Sequence, residues 1–363
     1  MRIGSHEYKR SDVEKRIGSI AQLGGVRHYE LTEGTTSGVR AADFITGSGF
    51  QFTVLPGRAM DISRASYKGT NLAYMTCAGE GHPAYYDPAG NEWFRTWFAG
   101  LLTTCGLTYF GAPATDGDEA LGLHGRIANL PAKQVSDMSR WEGDEYILEL
   151  RGTVEEAVFY GHKLRMERTL RSRIGDRSLT IEDTVTNFGT KPSPFVILYH
   201  INPGFPLLDA ESELALSAKS CEPYGPGSET GMKDRLRFAP PRQGFSEQDF
   251  LHTMAAGRDG YACAVFANPK LGDGLALYIR HKTDTLPFLS EWKMLGEQEY
   301  IVGLEPCNAK VVSRPELKAV GKLPMLKPGE SRAMRVEIGV LEGAKEIAAW
   351  RKRIRSLGRA KRR

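Results

Sequence analysis

Apolar and polar positions alternate through much of the chain. Leu179, Ile181 and Val185 share one face with Asp183, while Thr180, Glu182, Thr184 and Thr186 take the other. That period of two is the signature of a half-buried strand. Leu275, Leu277 and Ile279 repeat it, as do Met334, Val336, Ile338 and Val340. Residues 38–45, 50–55 and 60–67 are short runs of strand formers separated by Gly, Pro, Ser and Asn, which predicts a sandwich or barrel of antiparallel strands. Strand and helix patterns do not alternate, so a doubly wound parallel sheet is not expected. Three helical signals interrupt the strands. Ser11 and Glu14 have capping-box spacing, Trp93, Trp97 and Leu101 fall at i, i+4 spacing, and 344–357 carries Ile347, Trp350 and Ile354 on one face. Pro328-Gly329 predicts a sharp turn into the last strand.

One apolar run bears directly on chemistry. Residues 195–198, bounded by Pro194 and by Asn202-Pro203-Gly204, have the length and punctuation of a buried strand, and His200 stands at its end. The region 79–120 lacks steady alternation and is rich in Gly, Pro and aromatic residues, as expected of a segment that covers a site. Its tryptophans are either a packed turn or a sugar-stacking wall.

Composition narrows the class. The 363 residues hold an ordinary share of apolar and charged positions, and the expected organisation is one domain over 1–343 followed by a basic helix and tail over 344–363. The net charge of +4 hides an asymmetry, because that tail carries nine Lys or Arg and one acid, leaving the remainder at about minus four. A docked terminal helix with a solvated basic end is expected rather than a nucleic-acid contact. Five scattered cysteines without a CxxC pair support neither a disulfide framework nor a thiolate zinc site. With a polar N-terminus and without an apolar run of membrane-spanning length, the expectation is a cytoplasmic protein with no membrane partner.

Three stretches set an ionisable group where an apolar strand meets a turn: LGLHGRI (121–127), the run ending at His200, and IVGLEPCN (301–308). They supply His124, His200 and Glu305. A carboxylate entering an apolar strand is costly unless a partner meets it, and desolvation raises its proton affinity toward the range of a general base. Two imidazoles and a carboxylate could equally form a facial triad for iron or manganese, or belong to a carbohydrate-binding protein without turnover.

The segments LGLHGRIANLPAKQV, SLTIEDTVTNFGTKPSPFVILYHINPG, GLEPCN and LKPGESRAMRVEIGV, in that order along the chain and within a likeness covering much of 55–341, resemble the aldose 1-epimerase (galactose mutarotase) superfamily and its aldose-epimerase-like branch. The resemblance implies a large antiparallel β-sandwich, the mutarotase-like supersandwich, with short peripheral helices and a site on its concave face. It implies Glu305 as the base at the anomeric hydroxyl, His200 as the acid at the ring oxygen, and His124 as the group holding substrate oxygens. The implied activity interconverts the anomers of a free or acidic sugar without cofactor or metal, with a homodimer as a candidate assembly. Arg58 and Asp61, in LPGRAMDI, are candidate substrate-binding residues, with a surface ion pair as the alternative. Arg126 is a candidate partner for a substrate oxyanion. Asn202 and Trp292 complete the candidate set.

Overall fold

The computed structural model describes residues 1–359 and is built of two antiparallel sheets packed face to face. The larger, of eleven strands, runs from one edge through Ala218–Tyr224, Gln248–Met254, Phe288–Leu295, Tyr300–Cys307, Val196–Ile201, Leu102–Leu107, Asp61–Tyr67, Phe50–Leu55, Arg40–Ile45 and Gly25–Glu30, with the short Thr70–Asn71 paired to Asp61–Tyr67. The smaller, of nine, runs through Lys133–Asp137, Glu145–Ala157, Lys163–Arg173, Ser178–Asn187, Ser331–Glu342, Leu275–Lys282, Tyr261–Asn268 and Glu213–Leu216, with the short Arg140–Glu142 paired to Glu145–Ala157. The expected all-β sandwich is what forms.

Period-two patterning explains the packing. Ser178–Asn187 alternates between buried and half-buried positions along its whole length, sending Leu179, Ile181 and Val185 into the core between the sheets. There they meet Phe44, Phe52, Ile62, Ile197 and Leu304 from the larger sheet. Val196–Ile201 lies between Tyr300–Cys307 and Leu102–Leu107 and is buried at every position. The two outer faces are covered differently. The terminal helix Ala344–Arg359 lays Ile347 and Ile354 on Val265, Ala267 and Leu341 of the smaller sheet, whereas segments between residues 74 and 124 lay Tyr74, Trp93, Trp97 and Leu123 on the larger. Residues 360–363, the end of the predicted basic tail, lie outside the described residues.

Two helical expectations are corrected. The first helix is Arg10–Glu14, with Ser11 inside it rather than capping it. The free amide of Arg10 is met instead by Asp144 Oδ1 at 2.8 Å, a cap that no local pattern announces. Around the tryptophans, a short 3₁₀ turn spans Glu92–Arg95, and Trp97 and Leu101 lie beyond it. A complete capping box does occur elsewhere, with Ser313 and Glu316 opening Arg314–Ala319.

Candidate active site

His200 and Glu305 stand on neighbouring central strands, and the register of those strands makes them direct partners. Their side chains meet on the outer face of the larger sheet, with Nε2 of His200 at 3.1 Å from Oε1 of Glu305. Each side chain is about 4% exposed, so the pair is screened little by water. Gly303, on the same face two residues before Glu305, makes the contact possible. A Cβ there would lie 2.3 Å from Glu305 Oε1 and 2.9 Å from His200 Cε1.

Asn202 fixes the imidazole. Its Nδ2 donates to the carbonyls of Ala99 at 3.2 Å, Gly100 at 3.1 Å and His200 at 2.9 Å, which leaves Oδ1 to accept from His200 Nδ1. The proton therefore sits on Nδ1, and Nε2 turns its lone pair toward Glu305. Asn202 is wholly buried. It belongs to the site as the group that orients His200, and its amide is fully occupied by protein, which departs from the substrate-binding role expected of it.

Burial decides the protonation of the pair. It pushes Glu305 well above the usual carboxylate range, with Asp249 adding to the rise and a Ser290 hydrogen bond opposing it. It lowers His200 to about 3, with His124 adding to the fall. Both shifts favour the neutral forms, so one proton lies between the two groups, on the carboxyl side.

His124 completes the cluster from above. Its ring is edge-on to His200, with centroids 5.8 Å apart. The turn that carries it is clamped to the end of Leu102–Leu107 and to the loop beyond: Gly106 N donates to His124 O at 3.1 Å, and His124 N donates to Gly111 O at 2.9 Å. Gly125 must be glycine here, since a Cβ would come within 2.2 Å of Tyr109 O. Burial lowers His124 to about 4, and its Nδ1 is buried without a hydrogen-bond partner. An orphaned buried nitrogen beside a proton-sharing pair is poised to meet a ligand oxygen.

Aromatic rings wall the pair. The Trp97 and Trp292 rings lie 5.4 and 5.6 Å from the His200 ring, and Trp93 stacks on Trp97 at 5.0 Å. Trp292 is pinned by donating to Glu247 Oε2 at 2.9 Å.

The remaining candidates are not brought to this cluster. Arg58 is 1% exposed and donates to the carbonyls of Ala128, Gly81 and Thr96, where it joins loops together. Asp61 faces the core between the sheets, ion-paired to Arg168 at 2.9 Å. The surface ion pair expected as an alternative for these residues is equally absent, because each is buried. Arg126 is exposed and lines a small separate cleft with Tyr86, Tyr109 and Glu119.

Sequence reading missed Asp249. Antiparallel pairing puts it opposite Trp292, which in turn lies opposite Gly303, so it shares the outer face with the pair. Burial, then Glu247, raises it to about 7. Alternation in QDFLHTM (248–254) was the available signal. Among the described residues, no three His, Cys, Asp or Glu side chains are grouped to hold a metal ion. The two-His, one-carboxylate set is therefore not among groupings that could hold one.

Residues 36–340 match the family described as a domain of unknown function, DUF4432. The chain belongs to the DUF4432 family. No curated protein matches it. Among solved structures, this DUF4432 protein is similar to one from Klebsiella pneumoniae subsp. pneumoniae MGH 78578 named as a candidate aldose 1-epimerase. The identity is 23%, over 96% of this chain and 94% of that one, with a TM-score of 0.88. It is also similar to a galactose mutarotase-like protein from Clostridium acetobutylicum, with 14% identity over 88% and 99% of the two chains and a TM-score of 0.63. A galactose 1-epimerase from Lactobacillus acidophilus NCFM gives 13% identity over 88% and 99%, with a TM-score of 0.56. The DUF4432 protein thus has the galactose mutarotase-like fold. Among its described residues, no helix is long and apolar enough to cross a membrane.

Proposed function

We propose that this protein interconverts the anomers of an aldose by general acid–base ring opening and reclosure. The observation that carries the reading is the buried contact of His200 Nε2 with Glu305 Oε1 at 3.1 Å, with the imidazole oriented by Asn202. Anomer exchange needs that inventory. One group removes the proton of the anomeric hydroxyl while the other delivers a proton to the ring oxygen, the C1–O5 bond opens to the aldehyde, and C1–C2 rotation precedes reclosure.

A sugar entering between the two groups replaces their mutual contact with its own two oxygens. Glu305 acts as base and His200 as acid when the shared proton has moved to Nε2; the opposite assignment is the same chemistry run in reverse. The pair holds one proton before and after ring opening, so no external donor is required. His124 Nδ1 offers its free position to a substrate oxygen, and Trp97 and Trp292 give an apolar wall for a sugar face. The names of proteins sharing the fold support the same class of substrate. Five free cysteines, three of them buried, support the expected cytoplasmic setting.

Polarimetry of freshly dissolved single-anomer aldoses tests the proposal. Wild type should speed the approach to equilibrium, undiminished in chelator, and His200→Ala should lose about 10²- to 10⁴-fold. An equal rate in the variant contradicts the assignment; loss of the wild-type rate in chelator favours metal-assisted chemistry.

A further inference from the structure

The outer face of the larger sheet has another polar hollow, on the four strands from Asp61–Tyr67 to Gly25–Glu30 at its far end. It is a cleft of about 350 Å³ to which Tyr29, Asp43, Gln51, Thr53, Arg64 and Ser66 contribute. Four strand spacings, roughly 19 Å, separate Arg40–Ile45, which carries Asp43, from Val196–Ile201, which carries His200. None of the residues around the catalytic pair lines the cleft. Its polar groups are held in place yet keep hydrogen-bonding capacity. Asp43 Oδ1 accepts from Tyr29 Oη at 2.9 Å and from Thr53 Oγ1 at 2.7 Å, so the carboxylate is oriented with Oδ2 left to accept. Burial and then Asp43 raise Tyr29 to about 12, and the phenol stays a donor at neutral pH. Arg64 donates to Glu80 through Nε at 3.2 Å and Nη2 at 3.0 Å, a fork that fixes the guanidinium and leaves Nη1 to donate. The Gln51 amide is exposed, and Ser66 adds a half-buried hydroxyl.

We propose that this cleft binds a neutral polyol, such as one residue of a carbohydrate, apart from the catalytic pair and whether or not that pair exchanges anomers. Charge selects the class. Arg27 stands opposite Asp43 in register, so the guanidiniums of Arg27 and Arg64 balance the carboxylates of Asp43 and Glu80. Neither an anion nor a cation finds an excess of the opposite sign there. What remains is a carboxylate acceptor, a guanidinium donor, an amide and a hydroxyl around one concave surface. Vicinal hydroxyls, each able to donate and to accept, can use every one of them. Because Asp43 and Arg64 are already fixed by protein partners, little side-chain ordering opposes binding. The cleft is open and offers few apolar contacts, so the expected Kd is on the order of 1–10 mM.

The test is amide NMR of the isotope-labelled full chain, titrated with glucose, galactose and sorbitol beside inorganic phosphate and ethylammonium. Thr53, Ser66 and Gly69 report the cleft, and Gly303 reports the catalytic pair separately. At least one of the three polyols should move the cleft amides saturably. Asp43→Asn should weaken that binding about tenfold, and Gln51→Ala, at an exposed position where the fold is not at stake, about threefold. No saturable shift in the cleft up to about 100 mM polyol, tighter binding of either ion, or an unchanged Kd in Gln51→Ala overturns the inference. Shifts confined to Gly303 overturn it too, and leave the epimerase reading standing.

Discussion

Tyr199 and His200 are consecutive residues, equally buried, yet they belong to opposite kinds of polar cluster. Tyr199 points between the sheets and donates to Asp183 at 2.7 Å. There Arg168 holds Asp183 through two bonds of 2.8 and 2.7 Å, Asp61 at 2.9 Å and Thr104 at 2.9 Å, and Thr104 in turn donates to Asp61 at 2.6 Å. One guanidinium serves both carboxylates, each carboxylate is met by donors, and the fork is filled. On the other face of the same strands, His200 and Glu305 meet without a counter-ion, burial drives both toward neutrality, and His124 Nδ1 is left unpaired. The difference teaches what to look for: a satisfied buried network holds two sheets together, whereas an unsatisfied one keeps capacity for a ligand.

Breaking the inner cluster should have the largest effect. Arg168→Ala strands two buried carboxylates and should cost about 3–5 kcal/mol of stability, read by urea unfolding; a loss under about 1 kcal/mol would show that the network is not structural. On the outer face, Asn202→Leu should leave stability less affected but release the tautomer, lowering exchange by roughly tenfold or more and altering the alkaline limb of its pH profile. An unchanged profile would remove Asn202 from the mechanism. Gly303→Ala should fold, since this backbone is an ordinary strand, while its methyl pushes Glu305 away from His200. The expected loss is about tenfold in kcat with KM little changed, and equal kcat would mean that the pair tolerates separation.

Alternation made the sandwich legible, and it even placed Asp183 on the apolar face of its strand. What it could not supply was the reason, because Arg168, its partner, lies on the neighbouring strand. The same limit explains Arg58 and Asp61. LPGRAMDI marks the end of a strand, but which way its charges turn depends on carbonyls and an arginine far along the chain. His124, His200 and Glu305 were visible because each stands where an apolar run stops. Asp249 was not, since one acid within an alternating strand looks like any solvated position until the register is known. The cap on Arg10 from Asp144 was hidden for the same cause: the contact is made only after folding.

The central claim is that Glu305 is a costly buried acid retained for proton transfer. Glu305→Gln can donate the same hydrogen bond to His200 Nε2 but cannot exchange a proton. Glu305 binds its proton more tightly folded than unfolded, so its contribution to stability falls as pH rises from the unfolded value toward the raised folded one. At neutral pH the amide should therefore be the more stable protein. Anomeric exchange NMR on a neutral aldose, paired with thermal unfolding of the same samples, tests this most directly. Exchange should be lost and Tm raised in the variant; exchange at the wild-type rate, or a lowered Tm, would contradict a proton-transfer role for Glu305.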